Sequence, residues 1–192
     1  MARTIEEPAH VTAVEEGKFA LREYLPCVVA ETEVTGEWDT ASSQGFRRIA
    51  GYIFGGNTSA DRIAMTAPVG QRKAGEKVAM TAPVGVRPTG DAWVISFTMP
   101  SASSLATLPV PNDARVVLRQ QPGRRVAVHT FTGLWTDARM ARHTEELNAW
   151  IAKRGLRATG PPEINRYDPP WTLPWLRRNE IWVEVGATEA VV

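Results

Sequence analysis

Two stretches of the chain carry apolar residues at the three- and four-residue spacing of an amphipathic helix. The first runs from about Asp39 to Phe54 and ends at Gly55-Gly56-Asn57, as is typical of a helix C-terminus. The second runs from about Asp137 to Arg154, with Thr136 as the predicted N-cap and Gly155 as the stop. The predicted inward positions are Ser42, Gly45, Phe46, Ile49, Ala50 and Ile53 in the first helix and Met140, Thr144, Leu147 and Ile151 in the second.

Strand patterns flank both helices. Phe19–Glu33 and Val116–Phe131 are each interrupted midway, by Pro26 and by Pro122-Gly123, and are therefore predicted to form hairpins. Further strands are predicted where apolar residues alternate or run together, at Ala92–Met99 and Glu180–Val185.

The chain also repeats itself at an offset of 97 residues. Leu21-Arg22 falls on Leu118-Arg119, Val29-Ala30 on Val126-Ala127, Thr35-Gly36 on Thr132-Gly133, and Trp38 on Trp135. Each tryptophan is followed by a helix pattern. We therefore predict an α+β domain over residues 1–192, made of two strand-helix-strand-strand halves (about 8–100 and 101–186). The halves should be related by a pseudo-twofold axis, with a ligand site in the cleft between them.

A shorter duplication lies inside the first half, where Ile63–Gly70 and Val78–Gly85 differ only at their first residue. The polar segment between the two copies contains Ala74-Gly75, which suits a hairpin bend. This pattern predicts a pair of strands at the edge of the cleft, with Met65 and Met80 near it.

Composition narrows the class of function. The 192 residues are 43% hydrophobic and 22% charged, with a formal net charge of +1, so no electrostatic footprint for nucleic acid or an anionic membrane is present. Cys27 is the single cysteine, which excludes an internal disulfide. No apolar run is long enough to cross a membrane. We expect a cytoplasmic protein.

The order of motifs resembles the SOUL/haem-binding-protein family, in a bacterial-type form. GYIFGGN (51–57), RIAMTAPV (62–69), SFTMP (96–100), FTGLW (131–135) and YDPPWTLPWLRRNEIWVEV (167–185) carry the similarity, which spans roughly residues 8–186. The resemblance implies a distorted antiparallel β-barrel with two helices, akin to gyrase-inhibitor-like domains. It also implies a hydrophobic groove that binds haem or another tetrapyrrole reversibly.

An axial iron ligand is not evident from the sequence. One branch of the family has a histidine where this chain has Glu23, so a strong histidine ligand is not expected. His10 lies in a polar segment. His129 alternates with apolar residues and is expected to face water, and His143 falls on Phe46 under the 97-residue shift and is expected to border the groove. His143 and His129 are the candidates for binding iron.

Other residues are candidates for the groove itself. Met65 and Met80 could line it or bind iron, although packing is the simpler interpretation. Arg47 and Arg48 leave the buried stripe of the first helix, and the resemblance associates this helix with haem propionates. A solvated helix face is the alternative. For Arg177-Arg178-Asn179-Glu180 a structural network is the favoured interpretation.

The aromatic residues near the C-terminus are the last set of candidate groove residues. Trp171 and Trp175 lie in a proline-rich loop, and Tyr167 precedes it. They either cap the core or form a wall on which a planar macrocycle stacks.

Two alternative functions stay open. Glu23 and Glu31 could share a strand face and act as an acid–base pair, as in cleft-glutamate hydrolases of the gyrase-inhibitor-like type. An exposed 62–85 hairpin could instead dock another protein.

Overall fold

The computed structural model describes residues 5–58, 75–169 and 171–187. Two helices, α1 (Trp38–Ile53) and α2 (Asp137–Lys153), start and end within one residue of the predicted bounds. In the first half the strands are β1 (His10–Glu16), β2 (Phe19–Tyr24), β3 (Cys27–Thr35), β4 (Asn57–Thr58), β5 (Val84–Thr89) and β6 (Ala92–Thr98). In the second half they are β7 (Val110–Pro111), β8 (Val117–Gln121), β9 (Arg124–Thr132), β10 (Leu156–Ala158), β11 (Glu163–Arg166) and β12 (Arg178–Ala187).

The main sheet is antiparallel and follows the order β1-β2-β9-β12-β11-β5-β6-β3-β8, with β10 paired to the end of β12. Apart from β1, this order is symmetric about the β11–β5 pair. Strands β3, β5 and β6 occupy the positions that β9, β11 and β12 occupy on the other side. The predicted strand-helix-strand-strand repeat is therefore confirmed, as β3-α1-β5-β6 and β9-α2-β11-β12.

The two predicted hairpins are wrong. Instead, β2 pairs with β9 and β3 pairs with β8. The two antiparallel ladders continue each other without a change of register, from Phe19↔His129 through Cys27↔Gln121 to Glu31↔Val117. β2 and β3 are thus the two parts of one long strand bent at Leu25-Pro26. β8 and β9 form the second such strand, bent at Pro122-Gly123 and antiparallel to the first. This shared ladder curls the sheet into the predicted distorted barrel.

Both helices pack on one face of the curled sheet, α1 against β3 and β6 and α2 against β9, β10 and β12. The main core lies beneath them and a smaller cluster lies on the opposite face, formed by Ala20, Tyr24, Val126, Val128 and Trp182. The helix stripes match prediction at Gly45, Ile49, Leu147 and Ile151. Phe46, predicted to be buried, is 41% exposed, because the core face of α1 is centred on Ala41, Gly45 and Ile49.

Neither described helix is sufficiently long and apolar to span a lipid bilayer.

Candidate aromatic and cationic cleft

The two tryptophans that mark the internal repeat meet each other. The indole rings of Trp38 and Trp135 lie 4.8 Å apart and only 7° from parallel. Each follows a glycine with a positive φ, Gly36 at 107° and Gly133 at 113°, a conformation that side chains other than glycine rarely adopt. These two glycines turn the chain from a strand into the start of a helix. The repeat therefore places one indole from each half at the boundary between the halves.

Arg166 lies across this pair. It ends β11, two residues after Ile164, which packs in the core beneath the helices. Its guanidinium carbon is 4.4 Å from the ring centroid of Trp38 and 5.2 Å from that of Trp135. Guanidinium groups stack favourably on indole faces.

The electrostatics of this site favour an anion. Burial lowers the pKa of Arg166, nearby Asp39 opposes that shift, and Arg177 adds to it. Within the described residues, Arg166 forms no hydrogen bond or ion pair with a carboxylate. The indole Nε1 atoms of Trp38 and Trp135 are also buried and lack a hydrogen-bond partner there. A half-buried cation and two unused donors beside flat rings fit a planar ligand that carries acidic groups.

The proline-rich loop between β11 and β12 exposes apolar surface near this cleft. Trp171 is 83% exposed and Trp175 is 67% exposed. Leu173 and Leu176 are exposed as well, and the short 3-10 helix Pro174–Leu176 contacts β9. The Arg177 side chain donates to the carbonyl of Thr172 at 2.7 Å, which holds the loop in shape. Exposed aromatic residues held in a fixed loop are unusual unless they bind something.

Tyr167 is not part of this surface. Its hydroxyl donates to Glu180 at 2.7 Å on the opposite face of the sheet, and Arg178 lies over its ring at 3.8 Å. Glu180 is fully buried there and also accepts hydrogen bonds from Arg22, Thr130, Arg178 and Trp182. The structural network expected for residues 177–180 thus forms around Glu180 and Arg178, whereas Arg177 turns towards the loop.

The remaining groove candidates belong to α1 and to the segment before β5. Arg47 is exposed on α1. Arg48 donates to the carbonyl oxygen of Glu33 at 3.0 Å and to the hydroxyl of Thr32, so it ties α1 to β3. Met80 is 37% exposed, and Met65 lies outside the described residues, as does most of the predicted 62–85 hairpin.

The expectation that His129 faces water is wrong, since it is fully buried. β9 is covered on both faces, by α2 on one side and by the smaller core cluster on the other, so alternation does not indicate a solvent face here. His143 is buried as well, with its ring stacked 4.2 Å from that of Phe131. Both histidines lie between α2 and β9, and His10 packs near Tyr24 at 4.9 Å.

The proposed glutamate pair does not form. Glu23 is exposed and lies on the same face of β2 as Leu21, which packs in the main core beneath the helices. Glu31 neighbours Ala30 of that same core in β3, and therefore projects from the opposite face of the sheet. Its two oxygens accept hydrogen bonds from Arg119 at 3.0 and 2.8 Å. Their eight-residue spacing does not bring the two carboxylates together.

Sequence reasoning missed Trp38, Trp135 and Arg166 as site residues, although the repeat contained the signal. A residue that lies near a twofold axis meets its own counterpart across that axis. The shared Thr-Gly segment and the tryptophan that follows it could have indicated this contact.

The architecture is that of a half-barrel, a curled antiparallel sheet with two helices, and solved structures of this class confirm the fold. A hydrolase from Listeria innocua is similar at a TM-score of 0.59, with 11% identity, 91% of this chain covered and 94% of that chain. The EcmrR C-terminal domain is similar at a TM-score of 0.55, with 13% identity over 88% of this chain and 97% of that domain. At these identities the likeness concerns the fold alone.

The family is established by sequence. Residues 5–184 match the family model described as SOUL heme-binding protein, so the chain belongs to the SOUL heme-binding protein family. It is also 26% identical over 165 residues to Heme-binding protein 1 of Xenopus laevis. The aligned region covers 85% of this chain and 82% of that protein.

Proposed function

We propose that this protein binds haem or a related tetrapyrrole reversibly in the cleft between its two halves, without a histidine ligand to the iron. The observation that carries the proposal is Arg166, a half-buried cation that lies over the stacked Trp38 and Trp135 rings and is not paired with a described carboxylate. Membership of a haem-binding family supports the ligand class.

The chemistry of the ligand matches the surface. A porphyrin is flat and apolar over most of its area, and it carries two propionates at one edge. The exposed Trp171 and Trp175 offer ring faces for stacking. Arg166 supplies a positive charge, and guanidinium groups pair with carboxylates in a bidentate manner. In this arrangement a propionate faces Arg166 and the macrocycle covers the loop tryptophans.

Iron ligation is not required by this arrangement. The ring nitrogens of His129 and His143 that lack hydrogen-bond partners are buried between α2 and β9, where a macrocycle has no room. Affinity would then come from stacking, burial of apolar area and the Arg166 guanidinium. Iron-free protoporphyrin should therefore bind almost as well as hemin.

A titration of the purified protein with hemin tests the proposal. We expect a saturable Soret shift and quenching of tryptophan fluorescence at micromolar hemin. Arg166→Gln and a Trp171→Ser/Trp175→Ser double variant should each weaken binding about tenfold or more, since each removes a charge-assisted or stacking contact. Arg157→Gln, on the exposed strand β10, is the matched control and should bind hemin as the parent does.

Two results would overturn the proposal. Absence of a saturable shift at micromolar hemin would remove the ligand class altogether. Binding of hemin without any binding of iron-free protoporphyrin would show that iron ligation is essential.

The alternative functions lack comparable support. The hydrolase hypothesis depended on Glu23, which is exposed, has no carboxylate beside it among the described residues and approaches Arg125 at 3.8 Å. The protein-docking hypothesis depended on residues 62–85, most of which lie outside the described residues, and it stays a prediction.

A further inference from the structure

Three potential metal-ligand side chains converge between α2 and β9, away from the cleft. His129 comes from β9, and His143 and Glu146 come from successive turns of α2. The Oε2 atom of Glu146 lies 3.7 Å from Nε2 of His129 and 3.4 Å from Nδ1 of His143. Taking one ligand atom from each of the three residues, these atoms all lie within 4.8 Å of one another.

The hydrogen bonding of His129 determines which of its ring nitrogens has a lone pair that can bind a metal ion. Its Nδ1 lies 3.2 Å from the backbone carbonyl oxygen of His143. A carbonyl oxygen only accepts, so the proton is on Nδ1 and the lone pair is on Nε2. In metal sites a ligating histidine usually donates its other N–H in this way, often to a backbone carbonyl.

Two buried nitrogens face the Glu146 carboxylate without completing a hydrogen bond to it. Nε2 of His129 and Nδ1 of His143 are both buried and form no hydrogen bond within the described residues. Leaving such atoms unpaired in the interior is costly, so each calls for an explanation. Burial lowers the pKa of both imidazoles, which keeps them in the neutral form that binds metals.

Glu146 is held so that one oxygen faces the histidines. Its Oε1 accepts a hydrogen bond from Nε of Arg142 at 2.9 Å, while Oε2 is the atom nearest both rings. The Glu146 side chain is half-buried, and it marks the side on which the cluster approaches solvent.

We propose that Nε2 of His129, Nδ1 of His143 and Oε2 of Glu146 bind one divalent transition-metal ion of the zinc type. Two imidazoles and one carboxylate are a common ligand set for such ions, with bonds of about 2.0–2.2 Å. Ligands in a tetrahedral site of that size are about 3.4 Å apart, close to the 3.4 and 3.7 Å that separate Oε2 of Glu146 from the two histidine nitrogens. Three protein ligands leave one position, on the side of Glu146, for water or an exchangeable ligand.

The ion would be distinct from haem iron. The cleft with Arg166 lies at the boundary of the two halves. His129 lies instead in β9 of the second half, where its ring packs 4.5 Å from that of Phe19 on the paired strand β2. Loss of metal binding therefore leaves the tetrapyrrole proposal intact, and the converse also holds.

Cobalt and zinc are the probes. After EDTA treatment the protein should bind one Co²⁺ per chain. The bound ion should give visible ligand-field bands with the intensity typical of four- or five-coordinate Co²⁺. One equivalent of Zn²⁺ should abolish these bands. Zinc should also raise the melting temperature, because the ion binds only the folded site. Glu146→Gln should weaken Zn²⁺ binding at least about tenfold and His143→Gln should weaken it further.

Two variants serve as controls. Glu145→Gln, at the exposed neighbour of Glu146, and His10→Gln, at the histidine outside the cluster, should both bind Co²⁺ as the parent does. Hemin titration of Glu146→Gln should be unchanged, which shows that the variant is folded.

The proposal is overturned if the parent shows no ligand-field bands with equimolar Co²⁺ at micromolar protein. It is also overturned if Glu146→Gln leaves the zinc affinity unchanged, or if His10→Gln abolishes binding. In those cases the three side chains form a metal-free His–Glu network.

Discussion

The indole rings of Trp38 and Trp135 stack 4.8 Å apart although the two residues occupy the same position in the two repeats. Parallel indoles at this distance couple their electronic transitions, so the pair should give an exciton couplet in the far-ultraviolet circular dichroism spectrum. We expect Trp38→Phe and Trp135→Phe each to abolish the couplet. Each should also cost about 0.5–1.5 kcal/mol of the free energy of unfolding. The exposed Trp171→Phe change should do neither, and a couplet that survives in both pair variants would contradict this stacking.

Acid should weaken the fold through Glu180. Burial alone would raise the pKa of this carboxyl, but the ion pair with Arg22 and the hydrogen bonds from Trp182 and Tyr167 outweigh it. Together they lower its pKa to about 2. A pKa below the ordinary 4.5 means that the contribution of Glu180 to stability is complete at neutral pH. It is lost as the pH falls from about 4.5 towards 2.

Denaturant unfolding at a series of pH values measures this effect. The parent should lose on the order of 2–3 kcal/mol through Glu180 between pH 5 and pH 2, relative to a Glu180→Gln variant. At pH 7 the variant should be less stable by roughly 3–5 kcal/mol, because Arg22 and Arg178 lose their shared carboxylate. Glu15→Gln, on the exposed face of β1, is the control. Equal pH profiles for the parent and Glu180→Gln would contradict the role of this network.

Gly45 allows α1 to pack closely against β6 of the sheet. A Cβ at this position would lie 2.5 Å from Cγ1 of Ile95, which is fully buried in β6. Gly45→Ala should therefore push α1 away from β6 and destabilise the protein by about 1–3 kcal/mol, despite the better helix propensity of alanine. Gly51→Ala, in the same helix with nothing within 4 Å of the added carbon, should instead stabilise by up to about 1 kcal/mol. Thermal melts of the two variants should shift in opposite directions.

Thr136 caps α2 as the sequence predicts. Its hydroxyl oxygen accepts a hydrogen bond from the backbone N–H of Arg139 at 3.3 Å. Thr136→Ala should lower the free energy of unfolding by about 1 kcal/mol, whereas Thr136→Ser should retain most of it, since serine keeps the oxygen. Equal melting temperatures for the two variants would mean that the cap contributes nothing.

Local periodicity predicted the helices well because each helix buries a single apolar stripe. In both helices the residues of that stripe recur at three- and four-residue spacing over consecutive turns. The strand partners were mispredicted because alternation shows which residues share a face but not which strand lies alongside. Pro26 and Pro122 interrupt their strands and so resemble hairpin turns, yet each only bends a strand that continues into the other half.

The candidate site is only partly evident in the sequence. Trp171 and Trp175 stand out as aromatics in a proline-rich loop, and although both are exposed in the structure, their role in a binding site stays a prediction. Arg166 was missed because a lone arginine in a short strand is ordinary, and its importance arises only where two distant tryptophans meet over it. His129 was predicted to face solvent because alternation of polar and apolar residues is typical of a strand with one buried face. In the structure both faces of β9 are buried.

The shared ladder of the two bent strands has a consequence for how the molecule can be divided. Each repeat contributes its first strand, β2 or β8, to the sheet of the other repeat, so neither repeat has all of its partners on its own. This is the connectivity of an exchanged pair, as would arise if two identical half-length chains traded a strand and later fused. A polypeptide ending near residue 100 and a second beginning there should each be unfolded alone and should assemble when mixed. Reassembly of the Trp38–Trp135 exciton couplet would report that the two pieces have found each other.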